Sequence, residues 1–343
     1  MQKLITHINF AKGFRGGERQ TELLISSLSK RNIKQKLLVR IGSELTKRCK
    51  DIENLEIIEL SKPYIFHLNA IKGSHILHAH ETKALQFAYF AHLFTGVEYI
   101  VTRRVDNAIK KNFFNAKLYK NAKTSVALSS AIVKTIERVS SEATIAIIPS
   151  AFSQTQLNED KVLEIKKRFS QKFLIGHIGA LDEKHKGQSI IIELAKRVEK
   201  SYPKIHFILV GSGADEMMLK EMADGLSNIT FEGFVNNVPD YIASLDLFLF
   251  PSRNEGLGST LLDVMNHSVP IVASSVGGIV DIIEDGKNGV LFDIADLDKL
   301  EKIVIELYKD KEMRERLAQN AKKSITKYSV ENMTQSYISH YEI

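Results

Sequence analysis

Short, β-rich apolar runs recur along the chain at residues 4–8, 37–39, 57–60, 76–78, 99–101, 125–128 and 145–148, separated by helix-length segments. A second series follows at 173–178, 205–210, 229–231, 247–250, 271–273 and 290–292. Strands alternating with helices predict parallel, doubly wound sheets, and two series predict two α/β domains of Rossmann-like type. In open sheets of this kind ligands bind beyond the carboxyl ends of the strands, so two facing domains would enclose one deep cleft. The polar stretch 153–172 lies between the series, which sets the expected domains at 1–165 and 166–327. A terminal helix is expected over 328–343, where Val330, Met333, Tyr337, Ile338 and Tyr341 fall at near-helical spacing.

A length of 343 residues and 44% apolar content suffice for two cores. The single cysteine, Cys49, excludes an intramolecular disulfide and suits a reducing compartment. The first residues lack a signal-peptide core, and no apolar run approaches the ~18 residues that cross a bilayer, so a cytoplasmic protein is expected. The net charge of +6 is unevenly spread. Residues 1–165 hold 25 Lys+Arg against 15 Asp+Glu, and the remainder holds 22 against 26. The basic half suits an anionic partner or, more simply, a lysine-rich solvated surface.

Residues 251–284 carry the most chemistry. An apolar run ends at Pro251, a loop with Glu255 and glycines follows, and a helical pattern begins at Leu261, Leu262, Val264 and Met265. Backbone amides of Gly256, Leu257, Gly258 and Ser259 would then lie at a helix N-terminus, which favours a phosphate. Glu255 and Asp263 are eight positions apart and can face the same crevice. Carboxylates accept hydroxyl hydrogens, so the combination suits a ribose, a sugar and a diphosphate in one ligand.

These residues resemble the Glu-(seven residues)-Glu signature of retaining family 4 glycosyltransferases, with Asp263 where the second Glu is usual and a Gly-Gly turn at Gly277 and Gly278. The resemblance extends over nearly the whole chain. It implies the GT-B architecture, with the last helix returning to the first domain. It also implies front-face transfer from a nucleotide-diphospho-sugar, with Glu255 on the donor sugar and Asp263 on the ribose. Gly16 and Gly17, after the first strand, resemble the family's N-terminal Gly-Gly loop, with Lys12 and Arg15 nearby. The run 173–188 resembles the first strand and loop of the donor domain, where an Arg and a Lys reach the diphosphate. Lys186 keeps the Lys position, whereas Ala180 replaces the Arg. Lys184, His185, Arg103 or Arg104 are the candidates to supply the missing charge. Gly211 and Gly213 would shape the nucleotide pocket, and the backbone around Phe234 and Val235 would read the base. Glu216 stands where a dinucleotide fingerprint wants Gly or Ala, which weakens an oxidoreductase reading.

His78 and His80 share one side of a strand end. His80 is the better candidate for contact with the reacting sugar or acceptor, with a structural histidine the alternative. No third ligand accompanies the pair in the sequence, so no metal site is expected. Residues 102–123 hold seven Lys/Arg against one Asp, interleaved with Ile109, Phe113, Phe114, Leu118 and Tyr119. That pattern fits either an interfacial anchor for anionic lipid or a helix with a core face and a basic solvated face. No nucleic-acid-binding motif is present.

The resulting expectation is a retaining glycosyltransferase acting on a glycolipid or cell-envelope glycan of lipopolysaccharide type, peripheral to the inner face of the cytoplasmic membrane. The catalytic candidates are Glu255, Lys186 and His80. No cofactor or metal is expected, and a UDP-sugar is expected ahead of a GDP- or ADP-sugar as co-substrate. A nucleotide-sugar epimerase and a non-catalytic nucleotide-sugar-binding protein are the alternatives.

Overall fold

The computed structural model describes residues 3–153 and 156–342. It divides into two compact units, one comprising the chain up to Ala151 together with everything from Tyr328 on, the other Phe152–Lys327.

The first unit holds seven strands: β1 Ile5–Asn9, β2 Gln35–Arg40, β3 Leu55–Leu60, β4 Ile76–Ala79, β5 Glu98–Arg103, β6 Thr124–Ala127 and β7 Ile145–Ile147. They form one parallel sheet in the order β3-β2-β1-β4-β5-β6-β7. β1, β4 and β6 are buried throughout, as strands covered on both faces must be, whereas edge strand β3 mixes buried and accessible positions. Ile5, Ile76, Ile100 and Val126 pack with Leu24 and Leu28 of the helix Gly16–Ser29. Val330, Met333, Tyr337 and Tyr341 of the helix Val330–Tyr341 complete this core, so the terminal helix belongs to the first unit.

The second unit holds β8 Phe173–Ile178, β9 Ile205–Val210, β10 Ile229–Gly233, β11 Leu247–Phe250, β12 Ile271–Ser274 and β13 Val290–Phe292, all parallel, in the order β10-β9-β8-β11-β12-β13. Phe207, Leu209, Leu249, Val272 and Ile192 lie in its core.

The boundary falls at residues 151/152 and not at 165/166. The helix Glu159–Arg168 buries Ile165, the Asn158 N–H donates to Asp240 Oδ1 at 2.8 Å, and Arg168 pairs with Glu232, all within the second unit. A charged helix reads as a linker by composition, and here its one apolar stripe ties it to a domain. With the observed boundary the first unit has 24 Lys+Arg against 14 Asp+Glu, so its surplus of ten stands.

Candidate active site

Strand order reverses direction between β8 and β11, the place in an open α/β sheet where ligands bind beyond the strand ends. The loop after β8 contains the short helix Glu183–Lys186 and ends at Gly187, whose φ of +65° suits glycine. A Cβ on Gly187 would lie 2.3 Å from the Pro251 carbonyl oxygen, so only glycine lets this turn close on the loop after β11. The consequence is a pair. Lys186 Nζ lies 2.6 Å from Glu255 Oε2, with side chains 23% and 17% exposed.

Below the pair, Lys186 Nζ sits 5.3 Å from the Phe250 ring centroid, and His177 of β8 donates from Nδ1 to the Leu249 carbonyl at 3.1 Å. Burial pushes the His177 pKa down to about 4, so the ring is neutral. Gln188 donates to the Ala180 carbonyl at 2.8 Å and holds the loop at the position where arginine is missing.

The loop carrying Glu255 is tied on both sides. The Arg253 N–H donates to the His185 carbonyl at 2.8 Å, and the Gly278 N–H donates to the Glu255 carbonyl at 2.9 Å. Gly256, Leu257 and Gly258 are buried, and Gly258, with φ +87°, caps the helix Ser259–Asn266. Asp263 lies just over a turn into that helix, where its Oδ1 accepts the Ser153 N–H at 2.7 Å.

Arg253 was not among the residues expected from the sequence. Its guanidinium pairs with Glu183 at 2.7 Å, beside the loop that lacks an arginine at Ala180. Its place two residues before Glu255 was the available signal.

Gly211 and Gly213 have a packing explanation. A Cβ on Gly211 would lie 1.9 Å from the Gly179 carbonyl oxygen, and one on Gly213 would lie 2.2 Å from that of Leu181. The β9 loop therefore presses directly on the β8 loop, which accounts for both glycines without a ligand. Beyond β10, Phe234 is 75% exposed and Val235 is half-buried.

In the first unit Gly16 and Gly17 open the helix Gly16–Ser29. A Cβ on Gly17 would lie 3.2 Å from Arg104 Cδ, so the Arg104 side chain lies across the loop. Arg104 Nε is buried and has no hydrogen-bond partner among the described residues. Arg103 differs, because its guanidinium holds the Asn107 carbonyl and the Tyr119 hydroxyl. It anchors the chain after β5.

The histidine pair is a trio. His7 of β1, His78 and His80 place ring nitrogens within 4.8 Å of one another, all buried. The third imidazole that the sequence reading lacked comes from a strand 71 residues away, brought alongside by the β1–β4 pairing. His7 Nδ1 meets His80 Nε2 at 3.0 Å and His7 Nε2 meets Gln35 Oε1 at 3.1 Å. His78 meets the Tyr341 hydroxyl at 2.6 Å and Thr102 Oγ1 at 2.7 Å. Five of the six ring nitrogens are thus engaged, and His80 Nδ1 alone is buried without a partner among the described residues. The geometry is that of a hydrogen-bonded cluster more than an open ligand set.

The basic segment 102–123 divides its apolar residues. Leu118 and Tyr119 are buried, whereas Phe113 is 76% exposed, with Lys117 Nζ 4.4 Å from its ring centroid. Phe94 at 73% and Leu93 at 56%, from the helix Thr82–Thr95, are exposed as well. Phe114 contacts both Tyr89 and Phe90 of that helix. No helix among the described residues is long and apolar enough to cross a membrane.

Residues 158–324 match the family model described as Glycosyl transferases group 1. The chain is 28% identical over 166 residues to the putative glycosyltransferase EpsD of Bacillus subtilis (strain 168), covering 46% of this chain and 44% of that protein. It is 27% identical over 249 residues to the alpha-monoglucosyldiacylglycerol synthase of Acholeplasma laidlawii, covering 68% and 62%. Neither match reaches two thirds of the relative's length. In fold the chain is similar to Anabaena Alr3699/HepE, solved in complex with UDP-glucose, with a TM-score of 0.86 at 17% identity over 99% of both chains. Residues 158–324 thus resemble the glycosyl transferases group 1 family, on a chain whose two units have the fold of GT-B glycosyltransferases.

Proposed function

We propose that the chain is a retaining glycosyltransferase that moves a sugar from a UDP-sugar to a glycolipid or cell-envelope glycan. The observation that carries this reading is the Lys186–Glu255 pair, which sits within the family-matched residues at the strand reversal between β8 and β11. A cation and a carboxylate held together without ligand can exchange partners when a nucleotide sugar arrives. Lys186 turns to the diphosphate and Glu255 to the sugar hydroxyls. The amides of Gly258 and Ser259 add donors at the helix N-terminus, where charge develops on the leaving phosphate. Because the diphosphate itself can take the acceptor proton, no separate protein base is required. Arg253 replaces the guanidinium absent at Ala180, and the carboxylate of Asp263 takes the ribose.

The acceptor lies at an anionic membrane surface in this reading. Support comes from the exposed Leu93, Phe94 and Phe113 beside Lys110, Lys111, Lys117 and Lys120 on the basic unit. The name of the Acholeplasma relative, alpha-monoglucosyldiacylglycerol synthase, is in keeping with a lipid acceptor.

The test is incubation of purified protein with UDP-, GDP- and ADP-sugars, following released nucleotide and the anomeric configuration of the sugar by NMR. Slow release of UDP with retained configuration is expected. A new epimer of the intact donor, or binding without turnover in the presence of glycolipid extracts, would favour the epimerase or the binding protein.

A further inference from the structure

The proton positions in the histidine cluster follow from one unambiguous acceptor. The Ile25 carbonyl, in the helix Gly16–Ser29, takes a hydrogen bond from Gln35 Nε2 at 3.0 Å. A carbonyl can only accept, so the Gln35 amide is oriented with Oε1 toward His7 Nε2. That oxygen also only accepts, and the His7 proton therefore lies on Nε2. Burial pushes the His7 pKa down to about 4, which keeps the ring neutral and leaves a lone pair on Nδ1. Nδ1 faces His80 Nε2 at 3.0 Å, and the contact is a hydrogen bond only if His80 donates. Burial, reinforced by His78, His7 and Arg104, keeps His80 neutral as well. Its remaining nitrogen, Nδ1, then carries the lone pair and has no donor among the described residues. Buried acceptors are normally satisfied, so such an atom awaits a partner.

We propose that Gln35 and His7 are positioning residues that hold His80 as its Nε2–H tautomer, so that His80 Nδ1 accepts a hydrogen bond from a hydroxyl of the glycan acceptor. The identity of the ligand rests on the glycosyltransferase reading, whereas the relay itself does not. The tautomer decides what His80 recognises. A lone pair attracts an O–H and repels a phosphate oxygen, so His80 serves the acceptor hydroxyl and not the diphosphate. The relay joins β1 to the residue after β4, the two strands at which the order of the first sheet reverses. His78 lies against His80, tilted by 39° with centroids 3.9 Å apart, yet both of its nitrogens are taken by Tyr341 and Thr102, which excludes it from the relay.

The test is imidazole NMR of the full chain labelled with 15N-histidine, with His80 assigned by comparison with His80→Gln. The expected spectrum has a pyridine-like Nδ1 and a pyrrole-like Nε2 on both His7 and His80. His7→Asn, which puts an amide oxygen near the place of Nδ1, should preserve the His80 tautomer, whereas His7→Leu should release it into a mixture. With a UDP-sugar that the protein turns over, His7→Leu should lower kcat by about tenfold or more with KM for the donor nearly unchanged, and His7→Asn should recover most of the loss. A proton on His80 Nδ1 in the wild type, or an unchanged tautomer in folded His7→Leu, overturns the proposal. The predicted tautomers without turnover of any nucleotide sugar would leave the relay standing and remove the glycosyltransferase reading instead.

Discussion

Lys186 Nζ and Glu255 Oε2 lie 2.6 Å apart although 69 positions separate them, because Gly187 packs on the carbonyl of Pro251 and draws two βα loops together. The pair is partly buried, with side chains 23% and 17% exposed. Glu255→Gln is expected to cut turnover ~100-fold or more while leaving UDP affinity nearly unchanged, because the role proposed for its carboxylate is on the sugar and not on the nucleotide. Steady-state kinetics beside a UDP titration checks this. Wild-type turnover would remove Glu255 from the site.

Asp263 has one observed contact, with the Ser153 N–H, and one proposed role, on the ribose, and substitution can separate them. Asp263→Asn keeps an oxygen for the Ser153 N–H, so its melting temperature should stay near that of the wild type. Its UDP affinity should nonetheless fall by ~1–3 kcal/mol through loss of a charged hydrogen bond to the ribose. Asp263→Ala should lose both. Calorimetric titration and thermal melting read the two effects independently, and an unchanged UDP affinity in Asp263→Asn would confine the residue to its structural role.

Acid should destabilise the fold through its neutral histidines. Burial holds His7 and His177 down to about 4, and pushes His78 and His80 in the same direction. In the unfolded chain each takes a proton near its ordinary pKa of about 6.5, so below that value protons favour unfolding. The stability these rings contribute is therefore complete above about pH 6.5 and is lost as the pH falls toward about 4. The loss is about 1.4 kcal/mol per pH unit for each ring that stays neutral. Urea midpoints measured at steps between about pH 7.5 and pH 5 should fall steadily. A flat profile over that window would contradict the buried neutral rings.

Membrane attachment is testable by vesicle flotation. The protein should bind vesicles containing anionic lipid, ignore neutral ones, and release as salt screens the attraction. Replacing Lys110, Lys111, Lys117 and Lys120 by Gln should lower partitioning by orders of magnitude at about 1 kcal/mol per lysine. Phe94→Ser with Phe113→Ser should weaken it further without changing donor hydrolysis, since both side chains are exposed. Equal recovery with both lipids would leave the basic face to solubility or to a soluble acidic acceptor.

The thirteen strands among the described residues were legible in the sequence as short β-rich runs, continuously apolar where both faces are buried and weaker at the sheet edges such as β3 and β10. What a run of residues does not encode is which strands become neighbours. His7 joined the histidine pair through the β1–β4 ladder, and Glu255 met Lys186 through loops of strands β8 and β11. Arg253 escaped notice because its guanidinium gains meaning only beside Glu183 and the Ala180 loop. Gly211 and Gly213, expected to shape a nucleotide pocket, also let two loops pack backbone to backbone, a contact the sequence does not announce. The segment 102–123 divides its apolar residues in a way its composition does not announce, with Leu118 and Tyr119 in the core and Phe113 outside it.

The central claim is that the loops after β8 and β11 bind a nucleoside diphosphate through Lys186. Calorimetric titration of UDP into the wild type and Lys186→Ala tests it most directly. The wild type should bind, and the variant should bind at least ~10-fold more weakly, as loss of a charged hydrogen bond of ~1.5–3 kcal/mol implies. Equal affinity in the two proteins, or no binding of UDP, GDP or ADP by the wild type, would contradict it.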